Sequence, residues 1–391
     1  MYKILDLGMH PYADTFIGKD QLNLSEPVYP LECFLDTDTG EVRLGTQTEP
    51  DERYNLYDYS YTSSNSNFSR THWISYANEV SEFLNLPEGS SVIEIGSNDG
   101  FLTKQFIDRG FDAIGVDPSP YMCSLANERG VPTYNTLFTS KSVPIIKQDF
   151  RSADLVVANN VFNHANDTLD FAQGVSDLLA DDGVFVYELP YWYNTIKDGK
   201  FDQIYHEHVT YFTAKFSYEL LKKVGLEIFH IEVVDYHGGS LRVFARKCSN
   251  VQLQPITEEF IQRETEFGLF EPSRYEEFQT KLIDDRNKFL SRIYDIKSKG
   301  SPIVAVGAAA KGNTFLNYYN LDKTVLDYVT DISEHKQGKY TPLTRIPIVS
   351  DEIFSRYDKV YALILSWNIS DIIKTSLNKI NSNIEFISLT E

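Results

Sequence analysis

The sequence predicts an α/β protein with two doubly wound units in series behind a small N-terminal module. Three observations carry this expectation. Strand-like and helix-like stretches alternate across residues 71–250, and again, more briefly, across 301–391. In each block an apolar strand runs into a glycine turn that opens a helix. A chain of 391 residues, 42% of them hydrophobic and 14% aromatic, is also long enough for more than one core.

Taken in order, residues 1–70 read as irregular and aromatic, ending in the polar run YNLYDYSYTSSNSNFSR. Such a stretch is too poor in apolar residues for a core of its own, so it is expected to pack over another domain. Residues 71–250 contain SVIEIGS, FDAIGVD, DLVVANNVF and GVFVYELP as strands, with FLTKQFIDRG and PYMCSLANERG as helices between them. LEIFHIEVVDYHGGSLRVFARK closes the block as a hairpin turned at Gly238 and Gly239. Residues 251–300 show charged, helix-period spacing and read as a two-helix connector. PIVAVGAAAKGNTFLNYY, LDYVTDIS, KVYALILSW and IEFISLT then make the second α/β unit over 301–391.

Composition excludes several classes of function. The 36 basic and 56 acidic side chains leave a net charge of −20, which argues against nucleic acid or an anionic membrane surface as partner. A small anionic substrate held by a few local cations stays open. No apolar run reaches membrane-spanning length and no secretory signal is visible, so a cytoplasmic enzyme is expected. Cys33, Cys123 and Cys248 form no CxxC pair, and a cysteine-built zinc site is not expected. Oligomeric state stays open.

The strongest local signal is the cofactor loop Glu94-Ile95-Gly96-Ser97-Asn98-Asp99-Gly100. A strand ends at Gly96 and a helix starts after Gly100, where backbone amides face the ligand crevice of such folds. Asn98 stands where a dinucleotide fingerprint has its middle glycine, which disfavours a pyrophosphate-bearing nicotinamide cofactor. Asp117, followed by Pro118, ends the next strand and is placed to accept both hydroxyls of a ribose. These features fit S-adenosylmethionine, against a nicotinamide or a purely structural turn. Asn159 and Asn160 follow the next strand and reach the same edge, with His164 just beyond.

Residues 201–212, FDQIYHEHVTYF, gather Tyr205, His206, Glu207 and His208. If extended, His206 and His208 share one face and Tyr205 and Glu207 the other. A metal pair and a polar surface strand compete with proton transfer, the task such residue types suit. In Gly307-Ala308-Ala309-Ala310-Lys311-Gly312-Asn313-Thr314 the lysine precedes the second glycine, so the order is not that of an ATPase loop. Contact of Lys311 with phosphate, aided by His335 and Lys336, stands against plain strand–helix packing.

Taken together, EIGSNDG, YHEH, HGGSLRVF, AKGNT and HKQGKY…RIPI resemble, in order and across nearly the whole chain, the S-adenosylmethionine-dependent sugar C-methyltransferases of deoxysugar biosynthesis. The resemblance implies a Rossmann-like class I methyltransferase domain between an N-terminal zinc-type module and a C-terminal Rossmann-like domain. It implies methylation beside the keto group of a nucleotide-linked 4-keto-6-deoxysugar, with His208 as general base. Tyr205 and Glu207 become orienting or polarising groups, and His164 a second catalytic-site histidine. Tyr59 or Tyr61 is implied to lie over the sugar, and Lys311, Asn313, His335 and Lys336 to serve the nucleotide end. Family members hold zinc through two cysteine pairs. Here Cys33 is the only cysteine in that region, so the module's fold is expected without its metal. O- or N-methylation of another small molecule, or non-catalytic nucleotide-sugar binding, are the alternatives.

Overall fold

The computed structural model describes residues 1–54, 62–64 and 66–388. The N-terminal region, expected to be irregular, instead builds an antiparallel sheet from β1 (Tyr2–His10), β2 (Tyr29–Leu35) and β3 (Val42–Leu44). Alternation explains it: Leu31, Cys33 and Leu35 are fully buried between half-exposed neighbours, a period of two across a strand. Cys33 pairs with Leu5 and Leu44 in the middle of this sheet. Its buried face shares one continuous core with Tyr275, Phe289 and Ile293 of the helix Pro272–Ser298 and with Phe315 and Leu363 further on. The sheet thus borrows the core it cannot supply alone.

The central domain carries β4 (Ser91–Ile95), β5 (Asp112–Asp117), β6 (Thr133–Asn135), β7 (Ala153–Asn159) and β8 (Leu179–Pro190), all parallel. After β9 (Thr210–Tyr211) come β10 (Leu226–Val234) and β11 (Ser240–Lys247), the expected hairpin. The sheet order is β10-β11-β8-β7-β4-β5-β6, with β11 antiparallel to β8. Chain order reverses between β4 and β7, which opens the crevice at their carboxyl ends. The helix Asn67–Phe83 runs across the expected junction at 70/71 and packs Trp73, Tyr76 and Val80 into the central core. β9 leaves this domain to become the fourth strand of the N-terminal sheet, beside β3.

The C-terminal domain is a five-stranded parallel sheet of β12 (Ile303–Val306), β13 (Tyr328–Thr330), β14 (Ile348–Val349), β15 (Val360–Ile364) and β16 (Ile384–Ile387), ordered β14-β13-β12-β15-β16. Its carboxyl edge meets the central domain. Phe201 packs against the rings of Tyr318 (5.0 Å) and Phe315 (6.1 Å), and Trp367 donates its indole N–H to Asp202 at 2.6 Å. Gly238 lies under Trp367 with φ +80°, and a Cβ there would stand 2.5 Å from the indole; the HGGS turn needs glycine on both counts.

The connector helices Pro255–Glu266 and Pro272–Ser298 brace the segment between Tyr191 and Ala214. Glu264, buried, accepts the Tyr191 hydroxyl at 2.8 Å, the Lys215 amide at 3.1 Å and the Ala214 amide. One carboxylate therefore pins both ends of residues 192–213. Glu264→Ala orphans three buried donors and is expected to cost about 3 kcal/mol of stability, read as a lower urea midpoint. An unchanged midpoint would show that this clamp is not needed.

Candidate active site

At the β4/β7 crevice lies a cavity of about 250 Å³. Of the residues named from the sequence, Gly96, Asn98, Asp117, Pro118, Asn159, Asn160 and His164 line it. Gly96 has φ +72°, and an added Cβ would meet Val161 at 2.7 Å, so only glycine allows the loop to turn here. The turn aims the Asn98 amide at Asp117 Oδ2 and leaves Ser119 N–H on Oδ1, both at 2.9 Å. Each oxygen keeps a second lone pair for a hydroxyl donor. Burial pushes the Asp117 carboxyl up to about 6, against the pull of these two amides. Glu94, Ser97 and Gly100 do not face the cavity. Glu94 lies behind the loop, takes the Thr103 hydroxyl and is pushed by burial up to about 8. Ser97 is buried, and Gly100 supplies the left-handed turn before the helix Phe101–Ile107.

Several lining residues carried no clear signal in the sequence. Leu137 and Phe138 follow β6 at the same edge, and an aromatic residue just past a third strand could have marked them. Arg53 and Ser63 come from the N-terminal region, where nothing local announces them. Ser63 donates its amide to Asn98 Oδ1 at 2.9 Å and its hydroxyl to Asp99 at 2.7 Å, so this region closes over the glycine loop. The donor set fits a nucleoside without phosphates: a carboxylate for paired hydroxyls, apolar walls from Leu137, Phe138 and Phe171 for a purine, and buried amide atoms of Asn159 without a hydrogen-bond partner.

The loop 201–212 is not extended. Tyr205–His208 is a turn, closed by the His208 amide on the Tyr205 carbonyl at 2.9 Å. His206 and His208 consequently do not share a face. His206 packs its ring near Tyr29 (5.7 Å) and Tyr12 (6.2 Å) and reaches the Pro30 carbonyl, whereas the His208 ring lies against that of Tyr205 at 3.9 Å. His208 Nδ1 lies 2.9 Å from the Gln203 carbonyl, which can only accept, so Nδ1 carries the proton. Nε2 is then the basic nitrogen and accepts the Tyr205 hydroxyl at 2.7 Å. Gln203 thus sets the tautomer, a role of its backbone that no side-chain motif reveals. The His208 ring sits 5.1 Å from that of His164, which lines the cavity. Burial pushes His208 down to about 3, and burial together with His208 and Arg53 holds His164 well below the usual imidazole range. Glu207 accepts the Asp14 amide at 3.2 Å, leaves Oε2 without a partner, and is pushed by burial up to about 7.

Lys311 brings its buried ammonium to this cluster, close enough to His208 to lower the imidazole further. The other residues named with it do not gather there. Asn313 donates to the Ala13 carbonyl at 2.6 Å, Lys336 to the Ala308 carbonyl at 2.7 Å, and His335 lies at the surface beside Lys339. The Ala308 amide, one of those an anion would seek, is taken by Asp331 at 2.9 Å. Tyr59 and Tyr61 lie outside the described residues. Among the described residues no group of three or more His, Cys, Asp or Glu is arranged to hold a metal ion, and no helix is long and apolar enough to cross a membrane.

The cavity chemistry gives a direct test. If Asp117 accepts ribose hydroxyls as a carboxylate, S-adenosylhomocysteine affinity falls as pH drops through about 6, the value to which burial raises this carboxyl. Asp117→Asn is expected to weaken binding roughly 10–100-fold at pH 7.5 and to flatten this pH dependence, both read by calorimetry. Wild-type affinity that stays level from about pH 7.5 to 5 would contradict the assignment.

The comparisons agree with this architecture. A family model described as a methyltransferase domain matches residues 71–231, and one described as a C-methyltransferase C-terminal domain matches residues 235–389. The chain is 30% identical over 366 residues to the C-methyltransferase NovU of Streptomyces niveus, covering 93% of this chain and 87% of NovU. Solved structures are more distant. An S-adenosylmethionine-dependent methyltransferase from Clostridium acetobutylicum is 15% identical, with 48% of this chain and 94% of that chain covered and a TM-score of 0.37. Magnesium protoporphyrin IX methyltransferase from Synechocystis with bound S-adenosylmethionine is 14% identical, at 48% and 87% coverage and a TM-score of 0.36. Likenesses at these scores carry no argument. The relative that spans almost the whole chain, and the two family models that meet between residues 231 and 235, do: this chain belongs to the S-adenosylmethionine-dependent C-methyltransferases.

Proposed function

We propose that the enzyme methylates the carbon beside the keto group of a nucleotide-linked 4-keto-6-deoxysugar, with His208 as the base that makes the nucleophilic enolate. The observation that carries this reading is the position of His208. Its Nε2 is unprotonated, and its ring is 5.1 Å from a histidine that lines the cofactor cavity. A carbon acid held there has a base on one side and the methyl donor on the other. A ketone acidifies the adjacent C–H because the charge moves to oxygen, so a neutral imidazole can serve as acceptor. Gly96, Asn98, Asp117, Pro118, Asn159 and Asn160 would hold the cofactor, with Glu94, Ser97 and Gly100 shaping the loop beneath. Bound S-adenosylmethionine supplies the electrophilic methyl group.

The chain's own residues make the nucleophile. Substrate displaces the Tyr205 hydroxyl from Nε2, and the freed phenol orients the sugar or polarises its carbonyl. The unpartnered Oε2 of Glu207 takes a sugar hydroxyl. His164 closes the cofactor side. Tyr59 or Tyr61 covers the sugar, and His335, with Asn313 and Lys336 in the same domain, serves the anionic end. A cytoplasmic setting fits a nucleotide-linked substrate and three free cysteines.

A panel of nucleotide 4-keto-6-deoxysugars incubated with S-adenosylmethionine is expected to show a mass gain of one methylene with at least one member. His208→Asn should keep S-adenosylhomocysteine affinity and lower turnover about 10²-fold or more. With substrate deuterated at the acidic carbon and no methyl donor, wild type should wash out the label and His208→Asn should retain it. Equal exchange in both would place the base elsewhere.

A further inference from the structure

We propose that Lys311, contributed by the C-terminal domain, binds the substrate's keto oxygen and carries the negative charge that develops there when His208 removes the proton. This deepens the function proposed above and rests on it. Lys311 stands in the first turn of the helix Ala310–Tyr318. Its Nζ is buried and has no hydrogen-bond partner. It lies 5.1 Å from the centroid of the Trp367 ring, and that indole spends its own N–H on Asp202 Oδ2. Asp202 directly precedes Gln203, whose carbonyl holds His208, so the lysine faces the root of the catalytic turn.

Electrostatics agree with that placement. Lys311 acts on His208 and is the foremost charged neighbour of His237, a second buried imidazole whose Nδ1 also lacks a partner. Burial pushes Lys311 down to about 8, so its ammonium is still the main form at pH 7. A buried ammonium without a hydrogen bond is costly and is relieved by an anion reaching it.

Two anions compete: the diphosphate and the enolate oxygen. A diphosphate carries at least two charges and calls for several donors. The charged neighbours of Lys311 are the carboxylate of Asp202 and the ammonium of Lys200, which is already engaged by Asp198 and the Gly238 carbonyl; an indole whose N–H is spent and neutral imidazoles complete the surroundings. Asp202 opposes a second negative charge and tolerates one that appears only in the transition state. The Tyr205 phenol, once substrate displaces it from Nε2, is a neutral donor, which leaves the developing enolate oxygen in need of a charged one. In the step so formed, the proton passes from carbon to His208 Nε2. The C–H pair becomes the C=C bond, and the carbonyl π pair moves onto the oxygen against Lys311. The C=C pair then forms the bond to the methyl carbon as the S–CH3 bond of S-adenosylmethionine breaks, with its electron pair going to sulfur, which leaves as S-adenosylhomocysteine. The oxygen pair returns to restore the carbonyl, and the proton leaves His208 to solvent.

Lys311→Met and Lys311→Gln test this on the full chain. Deuterium wash-out without methyl donor, and kcat, should fall about 10²–10³-fold while KM for the keto sugar moves only a few-fold. Proton NMR of ring-labelled histidine should show the His208 imidazolium pKa rising once the cation is gone. Melting temperature should fall modestly, because the buried Asp202 carboxylate loses the cation beside it while keeping the Trp367 N–H. A raised KM with intact kcat would give Lys311 to the diphosphate and overturn the proposal. So would an unmoved His208 titration, or loss of folding in both variants. If Lys311→Met exchanges as fast as wild type while His208→Asn does not, this proposal alone fails. If His208→Asn exchanges normally, or wild type processes no keto sugar, the underlying function fails with it.

Discussion

Backbone pairing of β9 with β3, at Thr210↔Arg43 and Tyr211↔Val42, fixes one end of the Tyr205–His208 turn to the N-terminal sheet. The other end is held by the C-terminal domain, through Phe201 among aromatic rings and Asp202 on Trp367. Between them the Tyr191↔Phe212 bridge and Glu264 tie the same stretch to the central domain. Residues 191–215 are therefore common to all three sheets, and each domain loses part of its packing if this stretch lets go. A loop of such polar residues would ordinarily be mobile surface. Here it is buried and cross-linked, which is what a proton-transfer group needs if its geometry is to survive thermal motion.

Burial sets the electrostatic character as well. His164, His208 and His237 are all driven toward the neutral form by desolvation, and the cation Lys311 reinforces this at His208 and His237. Glu94, Asp117 and Glu207 are driven toward the protonated form by the same cause. Before ligand arrives, the site thus holds imidazoles ready to accept protons and carboxylates raised toward neutral pH. Such shifts favour an entering ligand that brings hydroxyl donors to the acids and developing negative charge to the lysine.

The cavity at the β4/β7 crevice was largely legible in the residues. Gly96 must be glycine because of its own φ and the close Val161, and Asp117 ends its strand at the cavity wall. Both facts are local. The N-terminal sheet was missed because its strands are short and interrupted by polar turns, although Leu31, Cys33 and Leu35 show the alternation plainly once the partner strands are known. The extended reading of 201–212 failed because the turn is closed by a backbone bond from His208 to Tyr205 that the side-chain pattern does not register. The anion reading of the second glycine loop weakened for a different reason. Asp331, from the next strand, already fills the Ala308 amide, and Lys336 spends its charge on the Ala308 carbonyl.

The sequence by itself determined the order of elements, the two α/β units, the cofactor loop and the residue types of the proton-transfer cluster. Strand period, glycine dihedrals and side-chain chemistry are properties of short stretches, so a single chain read end to end displays them. Only the tertiary structure decided which nitrogen of His208 is basic, that His164 rather than His206 is the histidine beside it, and that Lys311 comes near His208 instead of staying with its own glycine loop. The last two relations join residues far apart in the chain. They depend on how three sheets dock around one stretch, and docking is set by the sum of many weak burial terms that no local pattern contains.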